Sequence, residues 1–192
     1  LILSSERYEE NGAIKYYVTP PLRPAWHQEI LWKALNSGDI QVIGSDHTAF
    51  NYAGQKDLGK DSFVQAPRGF SGVQERLSAL SSAGVQSRKI SINRLVDLLC
   101  TSPARLFGLL PRKGTIAVGS DADLVIFDPR TDQILSKAIA LSRVDYCAYE
   151  GMRTHGSPWL VIQRGRTIAR EGKVMGRPGG GEFLARAKVG MP

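Results

Sequence analysis

Residues 40–46 read Ile-Gln-Val-Ile-Gly-Ser-Asp, an apolar run that passes directly into small and polar residues. Their β-branched content and short length predict a buried strand. Residues 24–37, just before this run, carry apolar side chains at helical spacing, and Gly38 is placed to end that helix. A helix followed immediately by a buried strand is one αβ unit. The two segments together predict an α/β fold built on a parallel sheet or barrel.

The segments on either side of this unit extend the pattern. Residues 13–18 are rich in aromatic and β-branched side chains, which favours a strand, and Pro20-Pro21 would stop it. Residues 47–72 predict a long loop rich in Gly, Lys, Asp and Asn, and loops beyond about 12–15 residues are usually functional or disordered. Apolar spacing then predicts three helices, at residues 73–83, 92–100 and 101–107.

The character of the sequence changes after Gly108, where short apolar runs alternate with turn residues. Pairs such as Arg164-Gly165 separate the runs, which predicts an all-β region. The sequence therefore divides into an α/β region at residues 1–110, a β-rich region at 111–175 and an extended tail at 176–192. The predicted strands are residues 114–118, 122–128, 160–164 and 167–169.

Composition excludes several classes of protein. The 192 residues include 25 Lys+Arg and 18 Asp+Glu, a net charge of +7, with 42% apolar and 22% charged residues. These proportions are typical of a globular chain and exclude collagen, a coiled coil and disorder throughout. Basic residues never exceed two in a row and are not interleaved with aromatics, so we expect no nucleic-acid partner. No apolar run approaches the roughly 18 residues of a membrane span, so we expect no membrane partner either.

The two cysteines and the first residues bear on the cellular context of the chain. Cys100 and Cys147 are too few for a disulfide framework, and both lie among apolar residues. We expect buried thiols in a reducing compartment and, with no signal-peptide pattern, a cytoplasmic location. The sequence opens with Leu-Ile-Leu-Ser-Ser rather than Met, and it is shorter than the roughly 250 residues of a complete (β/α)8 barrel. We therefore expect a fragment, a partial gene model or a truncated product.

Asp46 is the strongest single candidate for chemistry, because it follows the predicted strand directly. An acidic residue at the carboxyl end of a barrel strand is where that fold keeps its catalytic groups. A carboxylate there can bind a metal ion and accept a proton from metal-bound water. The same residue type also caps turns, and the spacing alone leaves both interpretations of Asp46 open.

The other ionisable candidates favour structural roles. His27, His47 and His155 form neither a His-x-His pair nor a His-Glu-x-x-His motif. Asp121 and Asp123 precede an apolar run, which indicates a turn leading into a strand rather than a metal site. A hydrolytic metal centre usually takes three or more protein ligands, and this sequence offers a single convincing one. No Walker loop, Gly-x-Gly-x-x-Gly, Cys-x-x-Cys or Gly-x-Ser-x-Gly motif is present.

Two neighbouring stretches near the middle of the chain form a recognisable signature. Residues 111–129 read Pro-Arg-Lys-Gly-Thr-Ile-Ala-Val-Gly-Ser-Asp-Ala-Asp-Leu-Val-Ile-Phe-Asp-Pro, and residues 101–108 read Thr-Ser-Pro-Ala-Arg-Leu-Phe-Gly. Together they resemble the C-terminal signature of the cyclic amidohydrolases, which dihydroorotases and allantoinases share.

A narrower resemblance, to the dihydropyrimidinase/hydantoinase branch of this family, covers nearly the whole chain. Several independent motifs occur in the same order as in that branch. They are Tyr-Val-Thr-Pro-Pro-Leu-Arg at residues 17–23, Gly-Ser-Asp at 44–46, Gln55-Lys56 with Gly-Lys-Asp-Ser-Phe at 59–63, and Tyr-Glu-Gly-Met at 149–152 with Gly-Ser-Pro at 156–158.

The resemblance implies a (β/α)8 TIM barrel with a smaller β-sandwich built from both chain ends. Residues 1–110 would be the last strand–helix units of the barrel, residues 111–175 part of the sandwich, and residues 176–192 a tail. It also implies two metal ions, usually zinc, bridged by a carboxylated lysine that lies outside this chain, and a homotetramer. The implied reaction is hydrolysis of a small cyclic amide, a dihydropyrimidine or hydantoin, to an N-carbamoyl amino acid. We expect the isolated chain to be inactive and poorly stable.

The resemblance also implies roles for three residues. Asp46 would bind the more buried metal and act as general base, and backbone groups at Thr19 and Arg68 would hold the ring amide. The family usually has Ser where Thr19 stands and often Asn where Arg68 stands, so Arg68 could instead meet an anionic substituent. Two alternatives stay open: a non-catalytic dihydropyrimidinase-like interaction protein, which typically lacks the aspartate, and an allantoinase-type enzyme, for which His47 is more typical.

Overall fold

The computed structural model describes residues 1–187, so residues 188–192 of the predicted tail lie outside the described residues. Within this range the helices come first along the chain and the strands follow. The helices are α1 (Trp26–Ser37), α2 (Arg76–Leu80), α3 (Ile92–Val96) and α4 (Ser102–Leu106); π-helical segments Ser81–Gln86 and Asp97–Thr101 continue α2 and join α3 to α4. The strands are β1 (Leu124–Ile134), β2 (Arg153–Gln163), β3 (Arg166–Arg170) and β4 (Lys173–Val174).

The predicted helix before residue 40 is confirmed as α1. Trp32 and Leu35, three positions apart on one face, are each only 2% exposed. Gly38 ends the helix in the left-handed region at φ 98°, a conformation that glycine adopts without steric cost. The buried side chains of α1 contact those of the later helices and form the main apolar core: Trp32, Leu35, Leu80, Ile90, Leu95 and Leu98.

Three predicted strands are wrong. Residues 40–46 have an irregular backbone, in which the Ile43 amide donates to the Leu98 carbonyl at 3.3 Å. A strand needs a ladder partner, and residues 1–187 offer none at this segment. Residues 13–18 instead contain the 3₁₀ turn Ala13–Tyr16, and residues 114–118 form turns in which Ile116 is 87% exposed. Residues with high β propensity favour a strand only where they can pack on a half-buried sheet. These three stretches have no such sheet to join in the described residues.

The predicted β-rich region contains a four-stranded antiparallel sheet in the order β1-β2-β3-β4. Its first two strands run longer than predicted, with Leu124 opposite Ile162 and Gln133 opposite Thr154. The sheet contacts the helical part through Ser82, whose hydroxyl accepts from the His155 amide at 2.6 Å. The division at residues 110 and 175 stays a prediction.

A second apolar cluster connects distant parts of the chain near the long loop. Leu3, Tyr16 and Ala148 are its buried members, with Phe70 and Tyr149 packed against them. Of the two cysteines, Cys147 is buried as predicted, but Cys100, in the π-helical segment Asp97–Thr101, is exposed. No helix in the described part of the chain is long and apolar enough to cross a membrane.

Candidate functional site

Asp46 lies at an exposed turn immediately after the irregular segment that follows α1. Its backbone adopts φ 46°, in the left-handed region that aspartate tolerates better than most residues. The hydrogen bond within this turn runs from the Thr48 hydroxyl to the Asp46 carbonyl at 3.1 Å, so it uses the Asp46 backbone rather than its carboxylate. Among residues 1–187, no hydrogen bond or ion pair involves the Asp46 carboxylate.

His47 joins this turn to the end of the long loop. Its Nδ1 accepts hydrogen bonds from the Gly72 amide at 3.1 Å and the Val73 amide at 3.3 Å. An imidazole nitrogen that accepts carries no proton, so these bonds favour the tautomer with its hydrogen on Nε2. The Thr48 amide adds a backbone bond to the Phe70 carbonyl at 3.2 Å. The Asp46 turn is thus held at both of its following residues.

Gly69 of the long loop lies close to Thr48 of the Asp46 turn. Its φ is 137°, and a Cβ added there would lie 2.6 Å from Thr48 Cβ and 2.8 Å from the Thr48 carbonyl oxygen. Both the backbone conformation and the space therefore require glycine. The Gly69 amide donates to the Tyr17 carbonyl at 2.9 Å.

Thr19 and Arg68 lie on the two segments that meet at this carbonyl. Thr19 is exposed two residues after Tyr17, and Arg68 is exposed immediately before Gly69. The Arg68 guanidinium lies over the Tyr17 ring, 5.9 Å from its centroid, and the Phe63 ring packs edge-on against the same ring at 5.6 Å. The structure therefore brings Thr19 and Arg68 to adjoining segments, and the Asp46 turn contacts the second of these.

Lys56 is a residue of the site that sequence reasoning missed. Its side chain is 0% exposed, and its ammonium donates to the Tyr17 carbonyl at 2.6 Å. Burial lowers the pKa of this ammonium to about 8. Nothing in the local pattern separates Lys56 from the exposed Lys60, although both belong to motifs of the family resemblance.

A cavity of about 140 Å³ lies beside these segments. Its lining includes Gly44 and Ser45, just before Asp46, and Phe70 and Gly72 of the loop. Tyr149 closes one side, and burial raises the pKa of its hydroxyl to about 12, which keeps it protonated near neutral pH.

The described part of the chain does not supply a complete set of metal ligands. Among residues 1–187 no group of three or more His, Cys, Asp or Glu side chains lies close enough to hold a metal ion. The His27 ring packs on the Trp26 ring at 3.7 Å, and His155 pairs with Asp132 across β1 and β2. The residues present do not by themselves fit a metal site, and Asp46 is the one candidate ligand that the sequence singled out.

The acidic pair before β1 has a structural role, as predicted. The Lys113 ammonium forms ion pairs with both Asp121 and Asp123, and the Arg112 guanidinium lies 2.9 Å from Asp121. The strand β1 then begins at Leu124.

Comparison with known proteins agrees with the resemblance. Residues 9–168 match the amidohydrolase family. The chain is 47% identical to a D-hydantoinase of Geobacillus stearothermophilus over 92% of its own length and 37% of that protein. It is 42% identical to a D-hydantoinase of Streptomyces coelicolor over 97% of its length and 40% of that protein.

Solved structures give the same result for the fold. The chain superimposes on a D-hydantoinase crystal structure with a TM-score of 0.96 at 45% identity, covering 99% of this chain and 42% of that one. A dihydropyrimidinase from Brevibacillus agri NCHU1002 gives a TM-score of 0.97 at 42% identity, covering 100% and 42%. The chain thus spans about two-fifths of the length of these relatives.

The likeness confirms the predicted fold class, part of an amidohydrolase (β/α)8 barrel with part of a β-sandwich. The sequence match, the superpositions and the quoted motifs agree, and the chain belongs to the amidohydrolase family of enzymes, where it resembles the D-hydantoinases and dihydropyrimidinases.

Proposed function

We propose that this chain is part of a metal-dependent enzyme that hydrolyses the ring amide of hydantoins or dihydropyrimidines to N-carbamoyl amino acids. One observation carries the proposal. The Asp46 turn is hydrogen-bonded to the loop after Gly69, and the same loop is bonded to the segment of Thr19. A candidate base and two candidate ring-binding positions therefore lie on segments that hydrogen bonds join.

Asp46 is assigned the proton transfers. Its exposed carboxylate accepts a proton from the attacking water and returns it to the ring nitrogen as the amide bond breaks. Its backbone, tied down through Thr48 and His47, keeps the carboxylate in place between the two steps.

Thr19 and Arg68 are assigned the binding of the ring amide. Both are exposed, and their segments are joined at the Tyr17 carbonyl, so backbone groups of the two can contact one small ligand. The Arg68 guanidinium is available to an anionic substituent on that ligand.

The metal requirement extends beyond the described residues. The proposed centre would take two divalent metal ions, zinc by preference; Asp46 would be its ligand from this chain, and a carboxylated lysine outside the chain would be another. We further propose a homotetramer in the cytoplasm that acts in pyrimidine catabolism, with residues 1–110, 111–175 and 176–192 as barrel, sandwich and tail portions. The resemblance supports these assignments.

The test is an assay of the full gene product, as its gene encodes it, on hydantoin, dihydrouracil and allantoin. We expect the protein to open the rings of hydantoin and dihydrouracil, and chromatography would detect the N-carbamoyl products. A chelator should abolish this activity, and added Zn²⁺ should restore it. Asp46→Asn should lower kcat by about 10²- to 10⁴-fold with little change in thermal stability. The exposed Asp39→Asn is the matched control.

The outcomes distinguish the proposed hydantoinase or dihydropyrimidinase function from the two alternatives. Preference for allantoin would support an allantoinase-type enzyme in place of the proposal. A folded, metal-loaded protein that opens none of the three rings would support the non-catalytic interaction protein. Turnover that survives Asp46→Asn would remove the role assigned to that carboxylate.

A further inference from the structure

Lys56 has an environment that is unusual for a lysine. Its side chain is 0% exposed, whereas Lys60, four residues later in the same loop, is exposed. The ion pairs formed among residues 1–187 do not include Lys56. Its ammonium has one hydrogen-bond acceptor in this part of the chain, the carbonyl of Tyr17 at 2.6 Å.

Stability does not account for this arrangement. Removing an ammonium from water without a carboxylate partner opposes folding, and an apolar side chain of similar volume usually does better in such a place. The lowered pKa of Lys56 has the same cause, since desolvation disfavours the charged form. A buried lysine that costs stability calls for a role in the site it contacts.

The Tyr17 carbonyl oxygen, which Lys56 contacts, is a junction, meaning an atom at which hydrogen bonds from two segments meet. The Tyr17 carbonyl accepts from both the Lys56 ammonium and the Gly69 amide, at 2.6 and 2.9 Å. Two donors from different segments fix the plane of the peptide that follows Tyr17, and with it the direction of the backbone leading to Thr19. Gly69 also belongs to the loop whose Phe70 and Gly72 backbone groups hydrogen-bond the Asp46 turn.

We propose that Lys56 is the positioning residue that fixes the Tyr17 carbonyl and thereby holds the Thr19 segment against the Arg68–Gly69 segment, where the ring amide binds. The inference rests on the proposed function. Lys56 acts through the backbone and does not touch the substrate. Productive geometry in such sites is set within about 0.5 Å, so losing one of two donors at the junction weakens ring binding.

The experiment compares Lys56→Met with Lys60→Met in the full gene product loaded with Zn²⁺. Met keeps the unbranched apolar stem of the side chain as far as the Cε position but has no group that can donate. We expect Lys56→Met to retain its metal content and to melt at or above the wild-type temperature, while kcat/KM for hydantoin falls about 10- to 100-fold, mainly through KM. Lys56→Gln keeps a neutral donor and should recover part of that loss, and Lys60→Met should match the wild type.

Hydrogen exchange provides a readout that does not depend on activity. The Gly69 amide bonds the same carbonyl, so a peptide covering residues 68–72 should exchange about tenfold faster in Lys56→Met than in Lys60→Met. If Lys56→Met does not fold, Lys56→Gln carries the same comparison against the wild type.

The failures of the two proposals are distinguishable. A wild-type protein that opens no cyclic amide refutes the proposed function, and the exchange comparison still tests Lys56. An active wild type with an unchanged kcat/KM in Lys56→Met, or unchanged exchange at residues 68–72, refutes the positioning role. A Lys56→Met protein that loses stability and metal in proportion to activity refutes it as well, because a structural role would then suffice.

Discussion

Replacing Gly69 by alanine is the most direct test of how the three segments are joined. Gly69 has φ 137°, and an added Cβ would lie 2.6 Å from Thr48 Cβ and 2.8 Å from the Thr48 carbonyl oxygen. One of these neighbours is backbone, so rotating a side chain cannot relieve both contacts. The loop after Gly69 or the turn after Asp46 has to move.

The expected loss in the free energy of unfolding of Gly69→Ala has two separate causes, backbone strain and steric overlap. An L-residue held at such a φ costs about 1–3 kcal/mol, and forcing an extra carbon into a filled space costs a further 1–3 kcal/mol or so. Gly54 separates the two causes, because it has φ 74° but nothing within 4 Å of an added Cβ. Gly54→Ala should therefore lower the free energy of unfolding by about 1 kcal/mol, and Gly69→Ala by about 2–6 kcal/mol.

The assay measures unfolding and turnover of both variants in the full gene product. We expect Gly69→Ala to lower kcat/KM for hydantoin by at least about 10-fold beyond Gly54→Ala, because the shift moves the Asp46 turn relative to the Thr19 segment. The reasoning is wrong if the two variants have the same free energy of unfolding and the same kcat/KM.

Three further predictions concern single side chains. Arg94 donates to the Leu35 carbonyl at 2.7 Å and the Ile40 carbonyl at 2.9 Å, so Arg94→Met should lower the free energy of unfolding by about 2–4 kcal/mol in a denaturant titration. The pKa of Lys56 is about 8 in the folded chain against an ordinary 10.5, so the unfolded state holds the proton over that interval. Raising the pH from 8 to 10 should therefore stabilise the wild type by about 2 kcal/mol relative to Lys56→Met. Arg68→Asn should lower kcat/KM about 10-fold for a hydantoin with a carboxylate substituent and leave unsubstituted hydantoin unaffected.

Each of these predictions has a control. The exposed Arg88→Met should leave the free energy of unfolding within about 0.5 kcal/mol of wild type, and equal losses in both arginine variants would contradict the role of Arg94. A pH dependence identical in wild type and Lys56→Met would mean that the lysine titrates normally. No loss on either hydantoin would leave Arg68 with the backbone role alone, and an equal loss on both would contradict a specific contact with the carboxylate substituent.

Sequence patterns predicted the parts of this fold that local chemistry decides. The apolar face of α1 is formed by side chains of that one helix, and Gly38 ends the helix because glycine adopts a left-handed backbone conformation. Residues 40–46 carry an equally clear pattern, but a strand also depends on partners elsewhere, and residues 1–187 supply none there. The same dependence accounts for residues 13–18 and 114–118.

The sequence identified candidate residues for the site but not the contacts that join their segments. Asp46, Thr19 and Arg68 came from motif positions, and their roles stay predictions. The burial of Lys56, the acceptor role of His47 Nδ1 and the approach of Gly69 to Thr48 depend on contacts between segments far apart in sequence. A sequence read along its length carries no local signal for such contacts.

The junction at the Tyr17 carbonyl bears on how this site could diversify. Its segments are joined at backbone atoms, while the side chains of Thr19 and Arg68 project from the joined segments as exposed groups. Replacing an exposed side chain usually changes stability by less than about 0.5 kcal/mol. Under the ring-binding roles proposed for Thr19 and Arg68, single substitutions at these two positions would change which ring substituents fit and leave the joined backbone segments intact.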